Sequence, residues 1–302
     1  MPAMAGNGSR IITLKSGHHV WTRRVGDSPD GRPPVLLLHG GPGCTHECFE
    51  CFESHLPQAG YTFYYYDQLG SYFSDQPEDR SLWNVERFRE EVEEVRQALG
   101  LANFYLYGQS WGGMLAMEYA LKYQDRLKAV VISNMTASIP SYVKHINELR
   151  ERMPADVVAM MRRCEAEERF DDPEYQKNLT ELYNRHLCRV VPWPEPLARM
   201  FTHMADAVYN TMQGNNEFVV TGNFAKWDRW ADIHQIRVPA LLLVGRHDTM
   251  RVSDIEEMGR RIPRARVAVC ESGSHCAMWD DEEAYFAHLL AFLRDVAGGA
   301  LA

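Results

Sequence analysis

Tyr107-Gly108-Gln109-Ser110-Trp111-Gly112-Gly113 follows the apolar run Phe104-Tyr105-Leu106-Tyr107 and leads into Met114-Leu115-Ala116-Met117-Glu118-Tyr119-Ala120-Leu121, which suits a helix. Strand, sharp turn, helix is the context in which a Gly-x-Ser-x-Gly elbow presents a serine hydroxyl at the top of a sheet. Such a turn strains the serine backbone and leaves no space for flanking side chains, which explains glycine at 108 and 112. The bare pattern also fits an ordinary loop, so the surrounding chain decides.

Upstream, Val35-Leu36-Leu37-Leu38 is an unbroken apolar run, as expected of a strand buried on both faces of a mostly parallel sheet. It runs into His39-Gly40-Gly41-Pro42-Gly43, where backbone amides are left unshielded by side chains. In an acyl-transfer enzyme the N–H groups of Gly41 and Trp111 would hold the developing oxyanion, with Gly40 beside the substrate. Phe63-Tyr64-Tyr65-Tyr66 predicts a further strand, and Val85, Phe88, Val92, Val95 and Leu99 predict a helix between an Asn84 cap and Gly100. Ala129-Val130-Val131-Ile132 reads as the next buried strand. Residues 11–21 and their neighbours suggest a starting hairpin closed by the turn at 26–31, after a floppy tail over residues 1–10.

Strand and helix alternate up to about residue 137 and again from 231, which predicts a doubly wound α/β sheet. Between them, residues 141–152, 154–169, 173–188 and 197–210 look helical, with a break at Val191-Pro192-Trp193-Pro194. The expected architecture is therefore a core of residues 1–137 and 231–302 with a helical cap, 138–230, that covers the nucleophile and excludes water. Ala240-Leu241-Leu242-Leu243-Val244 ends in Gly245-Arg246-His247-Asp248, and Arg266-Val267-Ala268-Val269-Cys270 ends in Glu271-Ser272-Gly273-Ser274-His275. A closing amphipathic helix carries Tyr285, Phe286, Leu289, Leu290 and Leu293.

Ser110, Asp248 and His275 each fall just past a predicted strand, in the chain order of an α/β-hydrolase triad. His275 would act as general base and then general acid, with Asp248 fixing its tautomer. An aspartate would stand at 110 in a dehalogenase or epoxide hydrolase of this fold. No His-x-x-x-His pair, HExxH or paired Cys-x-x-Cys supports a metal, and no phosphate-cradling loop supports a nucleotide, so neither metal nor cofactor is expected. Cys44, Cys48 and Cys51 have a spacing also used for iron–sulfur clusters. The same spacing places small apolar residues on one helix face, which is the preferred reading.

The 302 residues are 45% apolar and 24% charged, the balance of a water-soluble fold. A net charge of −9 argues against nucleic acid or anionic lipid as partner, and no run is long enough to span a bilayer. The seven cysteines are an odd number, which fits reduced thiols, and the start lacks a secretory signal; a cytoplasmic protein is expected. Cys276 beside His275 and Cys44 beside the glycine loop predict sensitivity to thiol reagents.

Taken together, the HGGPG loop, Asp67-Gln68 with Gly70-Ser71, the GQSWGG elbow, Gly245 to Asp248 and Gly273-Ser274-His275 resemble the proline iminopeptidases (prolyl aminopeptidases) over nearly the whole chain. The stretch from Gly214 to Trp230, with Asn216-Glu217-Phe218, is similar to the branch containing the archaeal tricorn-interacting aminopeptidase. The resemblance implies a serine aminopeptidase that releases N-terminal residues, proline and others, from short peptides. It also implies that Glu217 binds the substrate α-amine, the alternative being a solvent-facing turn residue. That branch has a second glutamate directly after the triad aspartate, where this sequence has Thr249. The departure leaves open an amino-acid amidase, an esterase or lactonase acting on a small natural product, or a ligand-binding protein that keeps the hydrolase shell. Trp111 would offer a wall for a proline ring or pack beneath the cap.

Overall fold

Strands β1 (Gly8–Thr13), β2 (His19–Val25), β3 (Val35–Leu38), β4 (Phe63–Asp67), β5 (Phe104–Gln109), β6 (Leu127–Ser133), β7 (Ala240–Gly245) and β8 (Ala265–Cys270) form one sheet in the computed structural model, which describes residues 7–300. Their order is β1-β2-β4-β3-β5-β6-β7-β8. β1 and β2 pair antiparallel, as do β2 and β4, and every pairing from β4 through β8 is parallel. The fold is the expected α/β-hydrolase sheet, carrying an antiparallel ribbon on one edge.

Side chains on a strand alternate between faces, and β3 divides its four accordingly. Leu36 and Leu38 join a core with helices α1 (Val85–Leu99), α2 (Trp111–Tyr123) and α8 (Val252–Arg261). Val35 and Leu37 join a second core with a 3-10 helix over His46–Ser54 and with the closing helix α10 (Glu282–Ala297). Apolar layers on both faces are why the central strands read as unbroken hydrophobic runs. Asn84 caps α1 by accepting the Arg87 N–H, and Gly100 ends it at φ +69°, as the sequence predicts.

Between β6 and β7 lie α3 (Ile139–Arg150), α4 (Ala155–Ala166), α5 (Pro173–His186), α6 (Glu195–Thr202) and α7 (Asp206–Met212). The ends of this block meet at a narrow neck. Ser138 bridges Asp228, Ile139 N–H donates to Trp227 O at 2.9 Å and Arg229 N–H to Ala137 O at 2.8 Å. Buried Glu118 of α2 anchors the neck, accepting from Trp227 Nε1 at 2.7 Å and Arg229 Nε at 2.6 Å.

Several local expectations are corrected. The hairpin β1–β2 is closed by its own turn, where Leu14 N–H donates to His18 O and Gly17 adopts φ +88°, and not by residues 26–31. Gly8 to Arg10, expected in the tail, belong to β1, while residues 1–6 of that tail lie outside the described residues. The helix expected over 197–210 breaks at His203-Met204-Ala205, because Ala205 N–H donates to Gly43 O at 2.8 Å and draws the chain onto the glycine loop. Of the cysteines expected on one helix face, Cys48 and Cys51 lie on the 3-10 helix and Cys44 just before it; all three are buried. Near-eclipsed i, i+3 side chains put Cys48 and Cys51 on one side.

Candidate active site

The elbow is held by close contacts. A Cβ on Gly108 would stand 1.9 Å from the Gly112 carbonyl oxygen, and one on Gly112 2.0 Å from that of Leu38. Ser110 takes φ +56°, a conformation costly for a side chain-bearing residue and retained because its N–H donates to Ser133 O at 2.9 Å while its carbonyl accepts from Gly113 and Met114. Half-buried Ser110 stands at the mouth of α2 and lines a cavity with His275.

Asp248 follows β7 and His275 follows β8. His275 Nδ1 and Asp248 Oδ1 are 2.8 Å apart with both residues buried, leaving Nε2 as the nitrogen available to the cavity. Burial opposes the imidazolium, but the charge and hydrogen bond of Asp248 outweigh it and hold the His275 pKa above the usual 6.5. The carboxylate is fully engaged: Asn134 Nδ2 donates to Oδ2 at 2.7 Å, and Met250 N–H and Thr249 Oγ1 donate to Oδ1 at 3.0 and 3.2 Å. Asn134 also reaches Ser274 O, and Gln109 Nε2 donates to His275 O at 3.1 Å. From the helical block, the carbonyls of His186 and Leu187 accept the N–H groups of His275 and Cys276 at 3.0 and 2.8 Å.

The glycine loop after β3 is braced from β4. His39 Nδ1 lies 2.9 Å from Gly40 O, while Gln68 N–H donates to His39 Nε2 at 3.1 Å and Gln68 Nε2 to His39 O at 3.2 Å. The Asp67-Gln68 element thus acts as a strut, and Gln68 Oε1 also accepts from Trp111 Nε1 at 2.8 Å. Gly40 and Gly41 line the cavity with Ser110, and Gly41 adopts φ +107°.

Two lobes make up the cavity, sharing Gly41, Ser110 and Glu217, with empty volumes, the open mouth included, of ≈ 410 and ≈ 270 Å³. The smaller is walled by Trp111, whose ring stacks on Phe224 at 5.9 Å and 11°, together with Met114, Met135, Ile139 and Met250. Glu217 is half-buried and faces both lobes as the single carboxylate lining them. Tyr209 Oη donates to its Oε1 at 2.6 Å, Tyr142 Oη donates to the Glu217 carbonyl at 2.5 Å and lies 3.1 Å from Oε2, and the Glu217 N–H donates to Tyr183 Oη at 3.3 Å. Burial first, and then Glu217 itself, pushes both donor phenols well above the ordinary tyrosine range, so they stay protonated. Thr249 is buried with its hydroxyl 3.3 Å from His275 Nδ1. It braces the Asp–His pair.

Sequence reasoning missed Asn134, Tyr142, Tyr209 and the His186–Leu187 carbonyls, and it singled out Gln68 without giving it a structural role. Only Gln68 had a local signal, the Asp-Gln pair at the end of a strand.

With this geometry in view, comparisons with known proteins place the chain. A family model described as the alpha/beta hydrolase fold matches residues 33–282, and the chain belongs to that family. The proline iminopeptidase of Flavobacterium johnsoniae is 45% identical over 281 residues, 92% of this chain and 94% of its own length. That of Elizabethkingia meningoseptica is 44% identical over 291 residues, 95% of this chain and 97% of its own. Among solved structures, VinJ aligns with a TM-score of 0.91 at 33% identity, covering 98% of this chain and all of its own (100%). The proline iminopeptidase of Mycobacterium smegmatis gives 0.90 at 31%, covering 97% and 100%. Within the α/β hydrolases, the chain is a member of the proline iminopeptidase family.

Proposed function

We propose that the protein is a serine aminopeptidase that releases an N-terminal residue, proline and other amino acids among them, from short peptides or aminoacyl amides. Ser110 attacks the scissile carbonyl as His275 takes its proton, and Asp248 stabilises the imidazolium. The N–H groups of Gly41 and Trp111 hold the oxyanion. His275 protonates the departing amine, and water then releases the amino acid from the Ser110 ester. The observation that carries this reading is the tyrosine-held carboxylate of Glu217, facing the same cavity as Ser110 and His275. A half-buried anion there pairs with the substrate ammonium and rejects a blocked terminus.

The neck at 137–139 and 227–229 supports division into a core of residues 1–137 and 231–302 and a cap of 138–230. No helix among the described residues is long and apolar enough to cross a membrane. A cytoplasmic setting is consistent with seven free thiols. One kinetic panel tests the reading: prolyl anilide, its N-acetyl analogue and a simple ester, each with wild type and Ser110→Ala. Hydrolysis confined to the free amine and abolished in Ser110→Ala supports it. Equal rates on free and blocked amines would replace it with the general amidase or esterase reading.

A further inference from the structure

The two lobes are not equivalent, because only the larger is lined by His275. This inference rests on the aminopeptidase reading. In acylation the Ser110 Oγ–carbon bond forms and the carbon–nitrogen bond breaks, and the hydroxyl proton passes through His275 to the departing nitrogen. A general acid must lie within hydrogen-bonding reach of the atom it protonates. The departing amine therefore occupies the larger lobe, and the acyl residue the lobe of Trp111 and Phe224, with Glu217 at their junction.

The chemistry of the larger lobe is one-sided. Leu187, Leu197, Met200, Phe201, Met204 and Met278 supply the apolar part of its wall, and Cys44, Cys48 and Cys276 add thiols that burial keeps protonated. No lysine or arginine is among its lining residues. The basic side chains of α6 and the turn after it are already engaged: the Arg199 guanidinium by Glu47, Glu50 and Glu195, and the His203 imidazole by Glu47. A free dipeptide would bring its carboxylate into this wall without a partner, next to the negative Glu217, at a desolvation cost that a neutral group escapes.

We propose that the larger lobe is a leaving-group subsite that selects a neutral, apolar amine component, so that the substrates are aminoacyl amides of apolar amines and not free dipeptides. Discrimination arises from the missing cation as much as from the apolar contact.

The test compares L-prolyl-L-leucinamide with L-prolyl-L-leucine, identical except for the terminal charge, on the full chain and on Met204→Lys, which adds a cation at a half-buried wall position. Prolyl anilide turnover and thermal unfolding report folding of the variant. The amide is expected to exceed the free acid in kcat/KM by on the order of 10–100-fold. That ratio should fall at least severalfold in Met204→Lys. Equal kcat/KM for the two substrates, or a ratio unmoved in a folded Met204→Lys, overturns the subsite assignment while leaving the aminopeptidase reading standing. Absence of turnover on every prolyl substrate overturns that reading, and the subsite assignment with it.

Discussion

Tyr209 Oη donates to Glu217 Oε1 at 2.6 Å across the turn that follows α7, so the carboxylate facing the nucleophile has its direction set by a buried phenol. Tyr209→Phe removes that donor, a loss of about 1.5–3 kcal/mol for a hydrogen bond to a charged group. KM for free-amine substrates is expected to rise roughly 10- to 150-fold, with little change on blocked esters. Michaelis parameters on both substrate types check this, and a matching loss on both would show a merely structural role for the hydroxyl.

The pH dependence follows from His275. As general base it must be neutral, so kcat/KM should rise with pH through a pKa above 6.5, where Asp248 holds the imidazolium against the effect of burial. A second, falling limb is expected near pH 8, where an α-ammonium of ordinary pKa loses its proton; N-blocked esters should lack it. Asp248→Asn removes the stabilising charge, which lowers the acid limb and cuts kcat by about ten-thousandfold. A pH–rate profile with its acid limb unmoved in that variant would count against the assigned role.

Asn134 links Asp248 Oδ2 to Ser274 O from a left-handed backbone at φ +53°. Asn134→Ala should destabilise by roughly 2–4 kcal/mol, combining a lost bond to a buried charge with the cost of that φ for alanine. Asn134→Gly should recover about 1 kcal/mol without recovering kcat. Urea unfolding separates the two terms from the activity loss, and equal stability of the two variants would contradict this partition.

At the neck, Glu118→Ala leaves the Trp227 indole N–H and the Arg229 guanidinium without their buried acceptor. Unfolding stability is expected to fall by about 3 kcal/mol, while KM for surviving enzyme stays within twofold because Glu118 does not line the cavity. Urea melts and initial rates below the transition test both halves.

The expected thiol sensitivity takes a particular form. Cys44 and Cys276 line the cavity, but burial raises both thiols far above the free value, so little thiolate exists at neutral pH. Inactivation by N-ethylmaleimide should be slow, should accelerate with pH, and should be slowed by an occupying prolyl amide. Persistence in the Cys44→Ser, Cys276→Ser double variant would locate the reactive thiol elsewhere.

The features legible from sequence are those with short-range causes. Buried parallel strands announce themselves as apolar runs such as Leu36-Leu37-Leu38, and the elbow glycines by the contacts that exclude a Cβ. Positions just past strand ends mark Ser110, Asp248 and His275 for the same reason. What stayed hidden depends on distant partners. Tyr142 and Tyr209 have the helical spacing of ordinary core residues, and only the folded chain turns their hydroxyls to Glu217, 75 and 8 positions away. The break between α6 and α7 answers to Gly43, far upstream, and nothing near His203 encodes it. The hairpin turn at Gly17 is masked in sequence by the Gly26 to Gly31 stretch, whose turn composition is stronger.

The amides of His275 and Cys276 are tethered to the carbonyls at the end of α5. Movement of the end of α5 is therefore transmitted to the backbone that positions the imidazole, just as movement between α6 and α7 is transmitted to the glycine loop through Ala205 and Gly43.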